Sequence, residues 1–242
     1  MSNLGALKKT LREKIDLEKA KFLPRFFKTG KGEYGEGDKF LGVTVPNTRQ
    51  VAKTFAQLLP QEITKLLRSL YHEERLVALL ILVHNFKKGT TEEKKQVYEF
   101  YLNHTKYISN WDLVDLSSHE IVGEYLYENR ARKPRPYEVL IQLAHSSNLW
   151  EKRIAIVSTY AFIYAGEAQA TLAVAEILLH DTHDLIHKAV GWMLREVGKR
   201  CGQEIEERFL KKHYQTMPRT MLRYAIEKFP AELRAKYMKR CI

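Results

Sequence analysis

Long apolar stretches are missing from this chain of 242 residues, although 45% of its residues are hydrophobic. No segment approaches the roughly 18 consecutive apolar residues that a membrane-spanning helix needs. The opening residues, MSNLGALKK, also lack the apolar core of a secretory signal. We therefore expect a globular protein that does not enter a membrane.

Cysteine is scarce, with only Cys201 and Cys241 in the sequence. Their spacing suggests neither a metal site nor a disulfide framework, and a reduced pair of thiols is typical of the cytoplasm. A Cys/His cluster of the kind that holds zinc is missing as well. This argues against a zinc site. We expect that the protein uses no cofactor.

Acidic residues are outnumbered, with 29 Asp and Glu against 40 Lys and Arg and a net charge of +11. A globular chain this basic tends to meet a polyanion, which is either nucleic acid or an anionic membrane surface. A charge that serves only solubility is the alternative.

Alternation of apolar and polar residues is missing too, which predicts essentially no β-sheet. Apolar residues instead recur at helical spacing from the N-terminus onward. Four glycines mark residues 29–38 as a loop, and Pro134 and Pro136 mark a later connection. After a helix near 49–55, we predict helices over 61–70, 73–86, 91–103, 110–129, 137–145, 150–164, 168–180, 185–199, 203–214, 219–229 and 231–240.

The second helices of successive pairs resemble one another. The segment ERLVAL around Arg75 aligns with KRIAIV around Arg153 and HKAVGW around Lys188, at separations of 78 and 35 residues. The first separation is two periods of 39, a length typical of HEAT-like helix pairs. We predict an all-α fold in which residues 1–242 form one domain, a curved solenoid of HEAT-like helix-pair repeats capped by the helices of residues 1–60.

One helix opening, NWDLVD at 110–115, combines an aromatic plate with a carboxylate. Trp111 and Asp115 are four residues apart and lie on one helical face. Taken alone, a core tryptophan beside a solvated or structurally paired acid is the simpler interpretation. However, one period after Arg75 falls at Val114, which places the stretch on the predicted concave surface. Asp112, near the helix N-terminus, is interpreted as a capping-region acid.

The repeat alignment predicts that five residues converge on this surface: Trp111, Asp115, Arg153, Lys188 and Trp192. Further along the last helix, Arg195 and Lys199 add positive charge. Cations contact phosphates, and aromatic faces stack on bases or lie against sugars. A carboxylate among them suits a reaction in which positive charge develops on the ligand.

Each of these residues also has a purely structural interpretation. Trp192 lies in an apolar segment typical of a core. Arg153 could pair with Glu151, and Arg195 could be a solvated surface residue. Trp150 is expected to pack at a helix start, and we leave it out of the site.

Four motifs resemble the AlkD-type alkylpurine DNA glycosylases. The resemblance covers nearly the whole chain in order and spacing, and it is carried by FLGVTVPNTR at 40–49, NWDLVD at 110–115, LWEKRIA at 149–155 and KAVGWMLRE at 188–196. It implies a metal-free enzyme that holds duplex DNA in a basic groove. It also implies removal of cationic N3-methyladenine and N7-methylguanine without flipping the base into a pocket.

By match to these motifs, the resemblance implies Asp115 as the catalytic carboxylate and Trp111 and Trp192 as the aromatic pair beside the lesion's deoxyribose. It implies phosphate contacts for Arg153 and Arg195. We add further residues to the predicted DNA-binding set: Lys188, Lys199, Arg49, and Phe26 or Phe27 where the family has a tyrosine. The loop at 29–38 looks longer than the family's usual pattern.

The expected protein is a monomer in the cytoplasm, associated with the nucleoid. Two other functions remain open at this point. The first is a non-catalytic homologue of the same fold that binds duplex or branched DNA. The second is a HEAT-type scaffold whose groove faces an acidic protein.

Overall fold

The computed structural model describes residues 3–132 and 135–242, so the break predicted at Pro134 lies outside the described residues. The fold is all-α, as predicted. Within the described ranges there is no β-strand, only an isolated bridge between Lys39 and Tyr71. No helix in those ranges is long and apolar enough to cross a membrane. The chain divides between Ser117 and Ser118 into two compact units.

The first unit is built around one buried helix. The apolar run 76–83 lies at its centre and is almost fully buried, and burial of each large side chain contributes about 1.5–3 kcal/mol. The helices of this unit are α1 (Asn3–Arg12), α2 (Leu17–Phe26), α3 (Val45–Thr54), α4 (Pro60–Leu67), α5 (His72–Lys88), α6 (Thr91–Leu102) and α7 (Trp111–Asp115). Helices α3, α4 and α6 all pack against α5.

The motif at 40–49 has a structural role in this unit. The backbone N–H groups of Leu41, Gly42 and Val43 donate to the buried Glu73 carboxylate at 2.9, 2.7 and 3.2 Å. Gly42 has a φ of +81°, and a Cβ there would lie 2.0 Å from the carbonyl oxygen of Asp16. Only glycine tolerates both conditions, so this turn joins α2 closely to α5.

The second unit consists of stacked helix pairs. It contains α8 (Glu124–Glu128), α9 (Glu138–Ala144), α10 (Leu149–Ser158), α11 (Tyr160–Tyr164), α12 (Gln169–Leu178), α13 (Asp184–Arg200), α14 (Gln203–His213), α15 (Arg219–Ala225) and α16 (Ala231–Lys239). The second helices of successive pairs, α10, α13 and α15, pack side by side. This is the arrangement that the internal repeat predicts for this part of the chain.

The predicted single helix over 110–129 is wrong. Helix α7 ends at Asp115, a π-helical turn follows at His119–Gly123, and α8 continues from there. At Gly123 a Cβ would lie 2.3 Å from the carbonyl oxygen of Ser158. The π turn therefore lies where the backbone approaches α10 closely, an irregularity that hydrophobic periodicity does not reveal. The predicted helix over 150–164 is likewise interrupted, at Thr159.

Gly191 allows an equally close approach between α13 and α15. A Cβ at this position would lie 2.4 Å from the carbonyl oxygen of Met221 and 2.6 Å from the Cβ of Tyr224. We expect Gly191→Ala to lower the free energy of unfolding by about 1–3 kcal/mol, the usual cost of overpacking. Urea denaturation measures this.

The matched control is Gly30→Ala, because its Cβ meets only the end of the exposed Glu33 side chain. Equal stability of the two variants would contradict the close packing of α13 on α15.

Candidate functional site

Trp111 lies against an aromatic stack at the start of α7. Its ring is half-buried and stacks on Phe27, with centroids 5.2 Å apart and an interplanar angle of 15°. Phe26 meets the same indole edge-on at 5.9 Å. Phe27 is buried, whereas Phe26 is 51% exposed. Of the two phenylalanines that the sequence offered, Phe26 is therefore the one available to a ligand.

Two side chains fix the first turn of α7. The Asn110 side chain is the N-cap and accepts the Trp111 backbone N–H at 2.8 Å. Asp112 accepts the Leu113 N–H through Oδ1 and lies 2.8 Å from Nε2 of His72 through Oδ2. The prediction that Asp112 is only a capping-region acid is thus incomplete, because its carboxylate also pairs with a residue forty positions earlier.

His72 lies between two carboxylates. Its Nδ1 is 3.1 Å from Asp38 Oδ2, opposite the contact with Asp112. Burial opposes protonation of the imidazole, but the Asp112 charge and the hydrogen bonds with both acids outweigh burial and raise the pKa of His72 to about 9. Arg75 donates to both oxygens of Asp38 at 2.7 Å. Together these residues form a buried cluster with two positive and two negative charges.

The imidazole also belongs to the aromatic stack. Its ring lies 4.7 Å from Phe40 and 4.9 Å from Phe27, and these two phenylalanines stack at 5.0 Å. The Gly-rich loop supplies the acid on one side of the imidazole, because Asp38 is its last residue. The loop therefore helps to hold Trp111 through the shared His72 ring.

Asp115 ends α7, one turn after Trp111, and is half-buried. Behind it, the Ser117 hydroxyl donates to the Leu113 carbonyl and contacts the buried Tyr101 hydroxyl at 2.9 Å. Burial, together with the nearby Asp115 charge, raises the pKa of the Tyr101 phenol well above its usual value. A neutral phenol and a serine thus support the turn that presents the carboxylate.

In the second unit, α13 carries three of the predicted DNA-binding residues together with the second predicted tryptophan. Lys188, Trp192, Arg195 and Lys199 follow one another at spacings of four, three and four residues, which places them on one helical face. Trp192 is half-buried, so it is not a full core residue. Lys188 pairs with Asp184 at 2.7 Å. Arg195 pairs with Glu196 at 3.2 Å and also contacts Glu227.

Two predicted arginines lie in different settings. Arg153 on α10 is 5% exposed and donates from Nη1 to the Leu185 carbonyl at 2.6 Å, in the first turn of α13. Arg49 on α3 is exposed and lines a small pocket beside Lys53 and Lys87. The structure thus brings Phe26, Trp111 and Asp115 together in one unit, and it joins Arg153 to the α13 helix in the other.

Trp150, which we left out of the site, packs at the start of α10 as predicted and is only 7% exposed. No signal in the sequence pointed to Asp38 and His72, which belong to the buried cluster beneath Trp111. Phe27 was a candidate ligand contact but is buried against the Trp111 ring instead. In the described ranges, no group of three or more His, Cys, Asp or Glu side chains is arranged to hold a metal ion.

Comparison with known proteins points in one direction. The sequence profile of the family described as "DNA alkylation repair enzyme" matches residues 7–229. The solved structure described as a "predicted DNA alkylation repair enzyme from Enterococcus faecalis" superposes with a TM-score of 0.69 over 90% of this chain and 98% of that chain. At 15% identity this likeness shows a shared fold. No curated protein matches the chain significantly.

The raised pKa of His72 predicts a pH-dependent stability. Its contribution is fully present below pH 6.5, the ordinary pKa of the group, and is lost as the pH rises through about 9. We expect the free energy of unfolding of the wild type, from urea titrations, to fall across this range. Asp112→Asn should remove about 3 kcal/mol at pH 7, because it leaves a buried charge without one partner, and should flatten the pH dependence.

Glu18→Gln is the control, since Glu18 is a highly exposed acid on α2. A pH dependence in Asp112→Asn as steep as in the wild type would show that Asp112 does not raise the pKa of His72.

Proposed function

Since the chain belongs to the DNA alkylation repair enzyme family, we propose that it is a monofunctional DNA glycosylase. Its substrates would be N3-methyladenine and N7-methylguanine in double-stranded DNA, and it would hydrolyse their N-glycosidic bonds. The observation that carries this proposal is the pairing on α7 of a half-buried indole with a half-buried carboxylate, Trp111 and Asp115, above a buried charged cluster.

The chemistry that such a pair performs follows from the substrate's charge. A purine alkylated at N3 or N7 is already cationic, so it leaves as a neutral base and needs no general acid. Positive charge moves to the deoxyribose as the bond breaks. A carboxylate beside the sugar stabilises that oxocarbenium-like state and orients or deprotonates the attacking water. We propose this role for Asp115, which is half-buried at the C-terminal end of α7.

Trp111 would act beside it through its π face. Attraction between an indole and a cation is worth up to about 2 kcal/mol when water is excluded. Phe27 stacks on one face of this ring and Phe26 packs on its edge. The indole is therefore held in one orientation before any ligand arrives, which is what electrostatic stabilisation of a transition state requires.

The α13 face would supply phosphate contacts and the second tryptophan. Lys188, Arg195 and Lys199 flank Trp192 on this face, so cations lie beside an aromatic plate as nucleic-acid recognition requires. Arg153 is bound to the first turn of α13, so a phosphate that it contacts would lie near that turn. We propose Arg49 and Phe26 as further contacts, and a cytoplasmic, nucleoid-associated monomer as the working form.

The direct test is release of free base from duplex DNA that contains N7-methylguanine. The wild-type protein should release it well above the spontaneous rate. Asp115→Asn should lower single-turnover release by about 100-fold or more, the usual contribution of a catalytic acid or base, while duplex binding persists.

Glu92→Gln, which neutralises an exposed acid on α6, serves as the matched control and should be as active as the wild type. Salt-sensitive duplex binding without any base release would instead support the non-catalytic homologue.

The ion pairs of Arg195 provide a separate test of the α13 face. Glu227 holds Arg195 and Lys228, so it competes with DNA phosphate for both cations. We expect Glu227→Gln to tighten duplex binding by about threefold, within the range of a surface ion pair, and to steepen its salt dependence. Fluorescence anisotropy at several salt concentrations measures both.

Glu232→Gln changes the net charge equally at an exposed position on α16. If the two variants bind duplex DNA with identical affinities, Arg195 and Lys228 do not contact the DNA.

A further inference from the structure

Helix α2 carries an exposed aromatic surface. None of its described residues is buried, and Phe22 and Phe26 are 61% and 51% exposed. They are four residues apart and stack on each other, with centroids 6.2 Å apart and an interplanar angle of 27°. Contiguous apolar side chains that are exposed to solvent often mark a binding surface.

This pair is continuous with the candidate site. Phe26 lies edge-on to Trp111 at 5.9 Å. The rings of Trp111, Phe26 and Phe22 therefore form a continuous row that runs from the candidate site outward along α2. Phe22 is the outermost ring and has no part in the hydrolysis described above. A ligand that covers Trp111 would therefore reach Phe26 and then Phe22.

The charges around the pair favour a nucleic acid as the occupant. Lys21, Arg25 and Lys28 are exposed and lie close to the two phenylalanines in the sequence. Lys21 pairs with Glu18 at 2.8 Å, and Lys28 lies 4.0 Å from Glu33. Three cations against two acids leave this segment with a net positive charge. Aromatic rings interleaved with cations are the usual platform for unpaired bases, because every base has a π face and is joined to a phosphate. An apolar protein partner would gain nothing from the cations.

We propose that Phe22 and Phe26 form a stacking surface for unpaired nucleobases, through which the protein prefers DNA that is locally unpaired over fully paired duplex. This inference rests on the DNA-binding part of the proposed function. It adds a substrate preference: the base opposite a displaced lesion would stack on α2 while the lesion's sugar lies at Trp111.

The test compares two lesion-free DNA probes by fluorescence anisotropy, a matched duplex and the same duplex with a two-base mismatch bubble. The wild type should bind the bubble about tenfold more tightly, the effect of stacking roughly one base. Phe22→Ala should bring this ratio close to one, and Phe22→Tyr should preserve it. Leu59→Ala is the control and should keep the full ratio, since Leu59 is also 61% exposed but belongs to the start of α4.

A wild-type ratio near one would overturn the proposal, as would a Phe22→Ala variant that retains the full ratio. Sedimentation supplies a further check, because dimerisation abolished by Phe22→Ala would assign the surface to a second copy of the chain. Base release measured in parallel separates the two claims. A bubble preference without base release rejects only the glycosylase, whereas base release without the preference rejects only the stacking surface.

Discussion

The contact between His72 and Asp112 is the interaction on which the first unit's candidate site depends. It joins the start of α5 to the start of α7 across a distance of 2.8 Å. The same imidazole contacts Asp38 on its other side and stacks against Phe40 and Phe27. One buried ring therefore links the Gly-rich loop, the two phenylalanines and the helix that carries Trp111.

The charges of this buried cluster balance one another. A buried histidine alone would lose its proton, whereas two carboxylates keep it charged. Arg75 then balances the second carboxylate. The cluster is costly to desolvate and is tolerated only because each charge has a partner. Its consequence is a rigid base for Trp111 and Asp115, and such rigidity is what a site needs if it stabilises charge that develops during a reaction.

Much of the fold could be predicted from the sequence, because helical periodicity and repeat spacing are local or regular signals. The side-by-side packing of α10, α13 and α15 follows from the alignment of Arg153 with Lys188. The buried cluster could not be predicted in this way. Asp112 has the sequence position of a capping acid, and nothing local shows that His72 lies against it. The π turn at His119–Gly123 escaped for a similar reason, since it depends on the approach of Gly123 to α10.

The candidate site, too, could be predicted from the sequence only in part. Trp111 and Asp115 were identified from helix spacing and family motifs, and both are partly accessible. The choice between Phe26 and Phe27 required the structure. The two residues are adjacent and identical in type, and only the structure shows that the core buries Phe27 and leaves Phe26 exposed. The ion pairs of Arg195 with Glu196 and Glu227 also required it, and they show that a cation in a motif is not necessarily an available cation.

In the proposed reaction, the positive charge of the lesion makes one carboxylate sufficient for base removal. The most direct measurement compares release of N7-methylguanine with release of its imidazole-ring-opened, uncharged form from the same duplex, each relative to its spontaneous rate. We expect strong acceleration for the cationic base and almost none for the neutral one. Equal acceleration of both bases would overturn the proposed reaction, because the protein would then have to protonate the leaving base.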